Sequence, residues 1–168
     1  GLGDVYKRQN HSFSERIAMD TNELIAIEQI RQLKARYFRS MDQKDWDLWE
    51  QVFTEDVLID TTQEGSPLIT SRQAFREFLP PMLEGVKTVH HGHTSEIKIT
   101  SPTSATGVWA MEDNLWWPKS AGGNHLWGTG WYFEKYEKQD NGKWLIAELV
   151  LRRIRVEMNG KQIFPASE

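Results

Sequence analysis

The spacing of the apolar residues changes once along the chain, and that change fixes the layout. Before Val86 they recur every three to four positions, as on one face of a helix; after it they alternate, as in strands. In the first half, Ala26, Ile27, Ile30, Leu33, Tyr37, Phe38 and Met41 share one helical face, with Glu28, Arg31, Gln32, Arg36 and Arg39 opposite. Asp20 or Thr21 can cap this helix, and Glu23 suits its positive first turn. Asp45 starts a short second helix with Trp46, Trp49, Val52 and Phe53 apolar. A strand over 57–61 and a Gly-Ser-Pro turn at 65–67 follow. Thr70 with Gln73 makes a capping box for a third helix, in which Phe75, Phe78, Leu79, Met82 and Leu83 are apolar. Pro80 and Pro81 are expected to kink or end its first part. Four strands are then predicted at 87–100, 104–117, 125–139 and 143–157. Asp140-Asn141-Gly142 forms the hairpin turn of the last pair. The class is α+β: three N-terminal helices packed on one face of a curved antiparallel sheet.

At 168 residues, with eight Trp and seven Phe, the chain has material for one packed core. Residues 1–18 are polar and aperiodic, contain His11, and open with GLGDVYKRQ, which looks like a translated adaptor. They are set aside as a leader, with Met19 as the natural start, 19–160 as the single domain and 161–168 as a tail. The net charge of −4 argues against a nucleic-acid partner, and the only dense basic run, Arg152, Arg153 and Arg155, sits within a predicted strand. There is no cysteine, which excludes disulfides, thiolate metal sites and a cysteine nucleophile. No apolar stretch reaches the roughly 20 residues of a membrane span, and a cytoplasmic protein is the resulting expectation.

The chemistry-bearing candidates are few. Asp42 lies at the end of the first helix and His90 at the head of the β-rich half. An imidazole oriented by a carboxylate is a general base with a fixed tautomer; apart, the two are an ordinary capping carboxylate and a core or surface histidine. Parity sharpens the question. Ile97 and Ile99 are expected to face the core, and His90 is an odd number of residues from both. His90 therefore faces inward only if a β-bulge intervenes near His91-Gly92-His93, where Gly92 is a suitable residue. Asp113 stands in an otherwise apolar row with Trp109, Met111, Leu115 and Trp117, and burying it demands a partner or a raised pKa. Tyr37 lies on the apolar helix face, where packing and proton donation explain it equally well. His91, His93 and Glu96 form an H-x-H-x-x-E string of the kind that binds metals in cupin barrels. The glutamate spacing is short, no fourth ligand follows, and the helical first half fits a cupin poorly, so no metal and no cofactor are expected. Phe38, Trp109, Met111, Trp127 and Trp131 are candidate walls for an apolar small-molecule substrate.

Four stretches, AIEQIRQLKARYFRSMDQKDWDLWEQVF, VHHGHTSEIKI, GVWAMEDNLWW and GTGWYFEKYEKQDNGKWLIAEL, resemble the SnoaL-like, scytalone-dehydratase-like branch of the nuclear transport factor 2-like superfamily. That resemblance implies a cystatin-like α+β barrel, a cone of curved sheet and helices around a deep apolar pocket. It implies a cofactor-independent lyase, most simply a dehydratase, with a ketosteroid-isomerase-like isomerase or a non-catalytic apolar-ligand-binding protein as alternatives. By the same resemblance Asp42 and His90 take the dyad positions, Tyr37 the helix tyrosine and Asp113 the strand carboxylate. The chain departs from many relatives in carrying Phe133, rather than histidine, after Tyr132. The resemblance, with the aromatic outer strand faces, also implies a homo-oligomer, a trimer or dimer.

Overall fold

The computed structural model describes residues 20–165. The expected leader, with His11 and Met19, lies outside the described residues, as do the last three residues of the expected tail. Helix α1, Thr21–Gln43, is capped by Asp20, whose carboxylate accepts the Asn22 N–H at 3.2 Å. Its buried face holds Ala26, Ile30, Leu33, Tyr37, Phe38 and Met41. Each of the larger of these contributes about 1.5–3 kcal/mol by leaving water. The short α2, Trp46–Glu50, starts at Asp45, which accepts the Leu48 N–H at 3.1 Å. Strand β1, Phe53–Asp60, leads to α3, Arg72–Met82.

Strands β2, Lys87–Ser101, β3, Ser104–Trp116, β4, His125–Lys138, and β5, Trp144–Met158, form the expected antiparallel meander. The sheet order is β1-β5-β4-β3-β2. β1 lies parallel to the first part of β5, and β6, Lys161–Phe164, pairs with its end. The sheet is open, and α1 packs across β2 and β5.

Three local expectations are corrected. Ser71, not Thr70, caps α3, its hydroxyl accepting the Ala74 N–H at 3.1 Å, because the helix begins one residue later than the capping-box reading places it. The helix runs through Pro80 and Pro81 to Met82: each proline removes one bond to the preceding turn, and so close to the end this costs little continuity. Residues 161–164 are a strand rather than tail. Asn159 and Gly160, both at positive φ, make the tight turn that folds them back on β5.

Bulges set which side chains face the interior, and two lie near the site. Between Gly92 and Ser95 on β2 the chain holds one residue more than β3 does between Met111 and Trp109. This is the phase change that parity demands: His90 and Gly92 face inward before it, Ser95, Ile97 and Ile99 after it. Gly92 has a second role, since a Cβ there would lie 2.6 Å from the Phe38 ring. On β5, Arg153 faces Gly130 and Arg155 faces Thr129, so Ile154 is the extra residue and is exposed. Arg153 lies before it, in simple alternation with Leu149 and Leu151, and the bulge carries the inward phase on to Val156.

Candidate active site

The end of α1 and the start of β2 bring Asp42 and His90 together. His90 Nδ1 lies 2.6 Å from Asp42 Oδ1, and Asp42 Oδ2 accepts the His90 backbone N–H at 3.0 Å. Thr88 Oγ donates to Oδ1 at 2.8 Å, so three hydrogen bonds fix the carboxylate. Lys44 Nζ in turn donates to Thr88 Oγ at 2.8 Å and to the Met41 carbonyl at 3.2 Å. Lys44 sits at φ 60, a conformation that disfavours a side chain, and these two bonds favour lysine at that turn over glycine. The Phe38 ring stacks on the imidazole, 6.2 Å between centroids and 10° between planes.

Burial works against the charge on Asp42, yet the bonds from the His90 side chain and backbone and from Thr88 hold its pKa below the usual carboxylate value. An ionised Asp42 accepts from Nδ1–H, which leaves Nε2 as the free lone pair. A folded pKa below the unfolded one means stability that is fully present above the unfolded value and lost as pH falls through the folded one. Asp42→Asn is therefore expected to melt below wild type at about pH 5, where the carboxylate is ionised both folded and unfolded. The margin should shrink once pH drops below the ordinary carboxylate value of 3.8. Melting curves by circular dichroism from about pH 5 downward check this, and a margin that widens below pH 3.8 contradicts it.

His90 opens onto a cavity of about 260 Å³ between α1, α3 and the sheet. Its walls are apolar: Met41 from α1, Phe75, Phe78 and Leu79 from α3, and Leu115, Trp117, Leu126, Leu149 and Leu151 from the sheet side. The polar groups that converge on it include His90, Tyr37, Tyr132, Asp113, Arg153 and Glu64, with Thr61 and Ser66 beside them. A wider groove of about 680 Å³ runs between α1 and the β4–β5 turn, but neither Asp42 nor His90 lines it; Gln29, Gln32, Leu48, Lys143 and Trp144 are among its walls.

Asp113 stands opposite His90 in the β2–β3 register. Its carboxylate is buried and accepts from Arg153 in a two-bond fork, Nη1 to Oδ1 at 2.9 Å and Nη2 to Oδ2 at 2.7 Å. Burial disfavours the guanidinium charge, but the adjacent Asp113 outweighs this and raises the Arg153 pKa further. Gly128 leaves the room for the pair: a Cβ there would fall 2.7 Å from Asp113 Oδ1 and 2.6 Å from Arg153 Nη1. Sequence reasoning misses Arg153 as a site residue because it reads as part of a basic run. The available signal is the alternation Leu149, Leu151, Arg153, the same kind of anomaly that exposes Asp113.

A second buried group escapes the sequence reading. Lys34 of α1 is paired with Glu134 of β4, and Glu134 also accepts from the Tyr136 hydroxyl, which accepts from Trp109 Nε1 at 2.8 Å. Lys34 Nζ lies 3.7 Å from the Tyr132 ring centre, 4.3 Å from Tyr37 and 4.6 Å from Phe38. Burial lowers its pKa, and Glu134 opposes that shift. The cation thus sits behind the three rings that stand beside His90.

Of the expected wall residues, Trp127 and Trp131 are corrected. They share β4 with Tyr132 but have the opposite parity, so they stand on the outer face, Trp127 bonded to Glu112 and Trp131 exposed. Trp109 and Met111 are buried behind the cavity, Trp109 through Tyr136 and Met111 against Arg153 Nη1. Phe38 backs His90 rather than lining the cavity. Tyr37 lines it, and burial pushes its phenol, like that of Tyr132, well above the usual tyrosine range. His91 and His93 have ring centroids 6.3 Å apart, and His93 approaches Glu112 at 3.9 Å. Among the described residues no group of three His, Cys, Asp or Glu side chains is placed to share a metal ion. Phe133 faces outward and is exposed, so the departure from relatives at that position leaves the cavity untouched.

Three helices on an open, curved, mostly antiparallel sheet, with an apolar cavity at their junction, define the nuclear transport factor 2-like α+β class. Residues 22–150 match the family model of the SnoaL-like domain, and the chain belongs to that family. Among solved structures, it is similar to a protein of unknown function from Mycobacterium tuberculosis, with 29% identity over 79% of this chain and 78% of that one and a TM-score of 0.66. A candidate scytalone dehydratase from Novosphingobium aromaticivorans is 19% identical over 88% of this chain and 98% of its own, with a TM-score of 0.71. A type 3 hexachlorocyclohexane dehydrochlorinase from Novosphingobium barchaimii is 16% identical over 86% and 98%, with a TM-score of 0.68. The last two likenesses are of fold.

Proposed function

We propose that this protein is a cofactor-independent lyase, a dehydratase acting on a hydroxylated cyclic or polycyclic apolar substrate. The observation that carries the reading is the 2.6 Å contact of His90 with Asp42 on the wall of an apolar cavity. Nε2 removes a proton from a carbon acidified by a neighbouring carbonyl, and Asp42 holds the ring and stabilises the imidazolium. The C–H electron pair becomes the new double bond as the C–O bond breaks. The hydroxyl leaves as water, taking a proton from Tyr37 or Tyr132; the proton on His90 then restores the phenol. Burial keeps both phenols protonated, and the departing hydroxide is basic enough to take a proton from either. Asp113, with both oxygens engaged by Arg153, suits the part of an anchor for that guanidinium better than that of a proton donor. The apolar walls exclude water and strengthen each of these contacts.

The test is incubation with a panel of β-hydroxy-ketone steroids and polyketides, followed by mass spectrometry. Loss of one water from at least one substrate, faster than without protein, is the expected result. An unchanged mass with a shifted ultraviolet spectrum means isomerisation by the same base. Tight binding with no chemical change across the panel counts against an enzyme. The same reading includes a homo-oligomer, supported by the exposed Trp131 and Phe133 side by side on the outer face of β4.

A further inference from the structure

The charge balance of the cavity limits what can enter it. Among the described residues, Arg153 is its one permanently cationic lining residue, and Asp113 and Glu64 are its carboxylates. Arg153 Nε donates to Glu64 Oε1 at 2.7 Å, Nη1 to Asp113 Oδ1 at 2.9 Å and to Met111 Sδ at 3.4 Å, and Nη2 to Asp113 Oδ2 at 2.7 Å. A guanidinium has five N–H donors, so one on Nη2 remains for a ligand. The positive charge, by contrast, is already matched by two carboxylates. The other basic groups nearby are matched or turned away: His90 faces Asp42, Lys34 faces Glu134, and Lys44, outside the cavity lining, donates to Thr88 and the Met41 carbonyl.

Among the described residues, a carboxylate or phosphate entering the cavity finds no unmatched cation on its walls. To claim Arg153 it must compete with both Glu64 and Asp113, and displacing Asp113, whose side chain is 4% exposed, would leave that carboxylate buried and unpaired. A hydroxyl or carbonyl oxygen needs only the spare N–H or a tyrosine hydroxyl. We infer that the part of the ligand held in this cavity is uncharged, a neutral ring system bearing hydroxyl or carbonyl oxygen, and that carboxylates and phosphates are excluded from it. This rests on the reading of the cavity as the ligand site, and it narrows the substrate class.

2-Naphthamide and 2-naphthoate have nearly the same shape and differ in charge. Both are titrated at pH 7 into protein labelled at histidine, with the His90 imidazole followed by NMR and affinity by calorimetry. Naphthamide is expected to shift the His90 signals and to bind about a hundredfold more tightly than naphthoate, as an unpaired buried charge dictates. Glu64→Gln, at a side chain 31% exposed where folding is not at stake, removes one of the two carboxylates and should narrow the ratio about tenfold. Naphthoate shifting His90 with an affinity equal to naphthamide's overturns the inference, as does a ratio unchanged in Glu64→Gln. Naphthamide binding that leaves the His90 signals in place instead overturns the cavity reading itself, and the inference with it.

Discussion

Lys34→Met is expected to lower the unfolding temperature by about 6–20 °C. Removing one partner of a buried ion pair costs about 3–5 kcal/mol, and in a chain of this size each kcal/mol shifts the midpoint by about 2–4 °C. The cost arises on the partner left behind. Glu134 has no exposed side-chain surface, and without Lys34 only the Tyr136 hydroxyl answers its charge. The methionine fills much of the lysine's volume, so packing loss is a small part of the effect. The double variant Lys34→Met with Glu134→Gln should recover most of the loss, because it removes both charges and keeps an oxygen to accept from Tyr136. Thermal melts of the two single variants, the double variant and wild type form a cycle that isolates the pair. A single variant melting within about 2 °C of wild type would show that Glu134 takes up a proton or water at little cost, and that the pair is not what holds α1 to β4.

The sequence carries the site unevenly, for physical reasons. His90 and Asp113 are legible because strand alternation is strict: Asp113 interrupts an apolar row, and the phase of Ile97 and Ile99 requires the bulge that lies between Gly92 and Ser95. Alternation also carries Arg153, in line with Leu149 and Leu151, but three basic residues within four positions read more readily as a solvated run. Lys34 lies in helical phase with Ile30, Tyr37 and Phe38, and its burial becomes intelligible only when Glu134 appears in the inward phase of Tyr132 and Tyr136. That pairing joins residues a hundred positions apart, and neither segment records it alone. Placing Trp127 and Trp131 inside contradicts Tyr132 inside, so parity within β4 settles the question without any structure. The parallel pairing of β1 with β5 is different in kind: it depends on how the helices bring β1 to the sheet edge, which no local pattern specifies.

His90→Gln is expected to slow the proposed elimination about 10²–10⁴-fold, the range that general-base catalysis supplies. Ligand affinity should stay within a few-fold of wild type. Glutamine keeps an N–H that can donate to Asp42, so the carboxylate is not left unpaired and the wall of the cavity holds its shape. What it lacks is a basic lone pair where Nε2 stood. The loss should therefore fall on kcat and not on binding, as it does when a group acts in the transition state rather than in ground-state recognition. Asp42→Asn separates base from orienter. Its imidazole remains, but an amide can present its NH₂ to Nδ1 and favour the tautomer with the proton on Nε2, which then faces the substrate with no lone pair. A large kcat defect in both variants, with folding intact, supports a dyad. A defect in His90→Gln alone assigns Asp42 to structure. If His90→Gln retains more than about a tenth of wild-type kcat, a histidine base has contributed less than this chemistry requires. The proton must then go elsewhere in the cavity, and the Asp113 carboxylate, 40 residues from Arg153 in sequence and bonded to it in the fold, becomes the group to replace next.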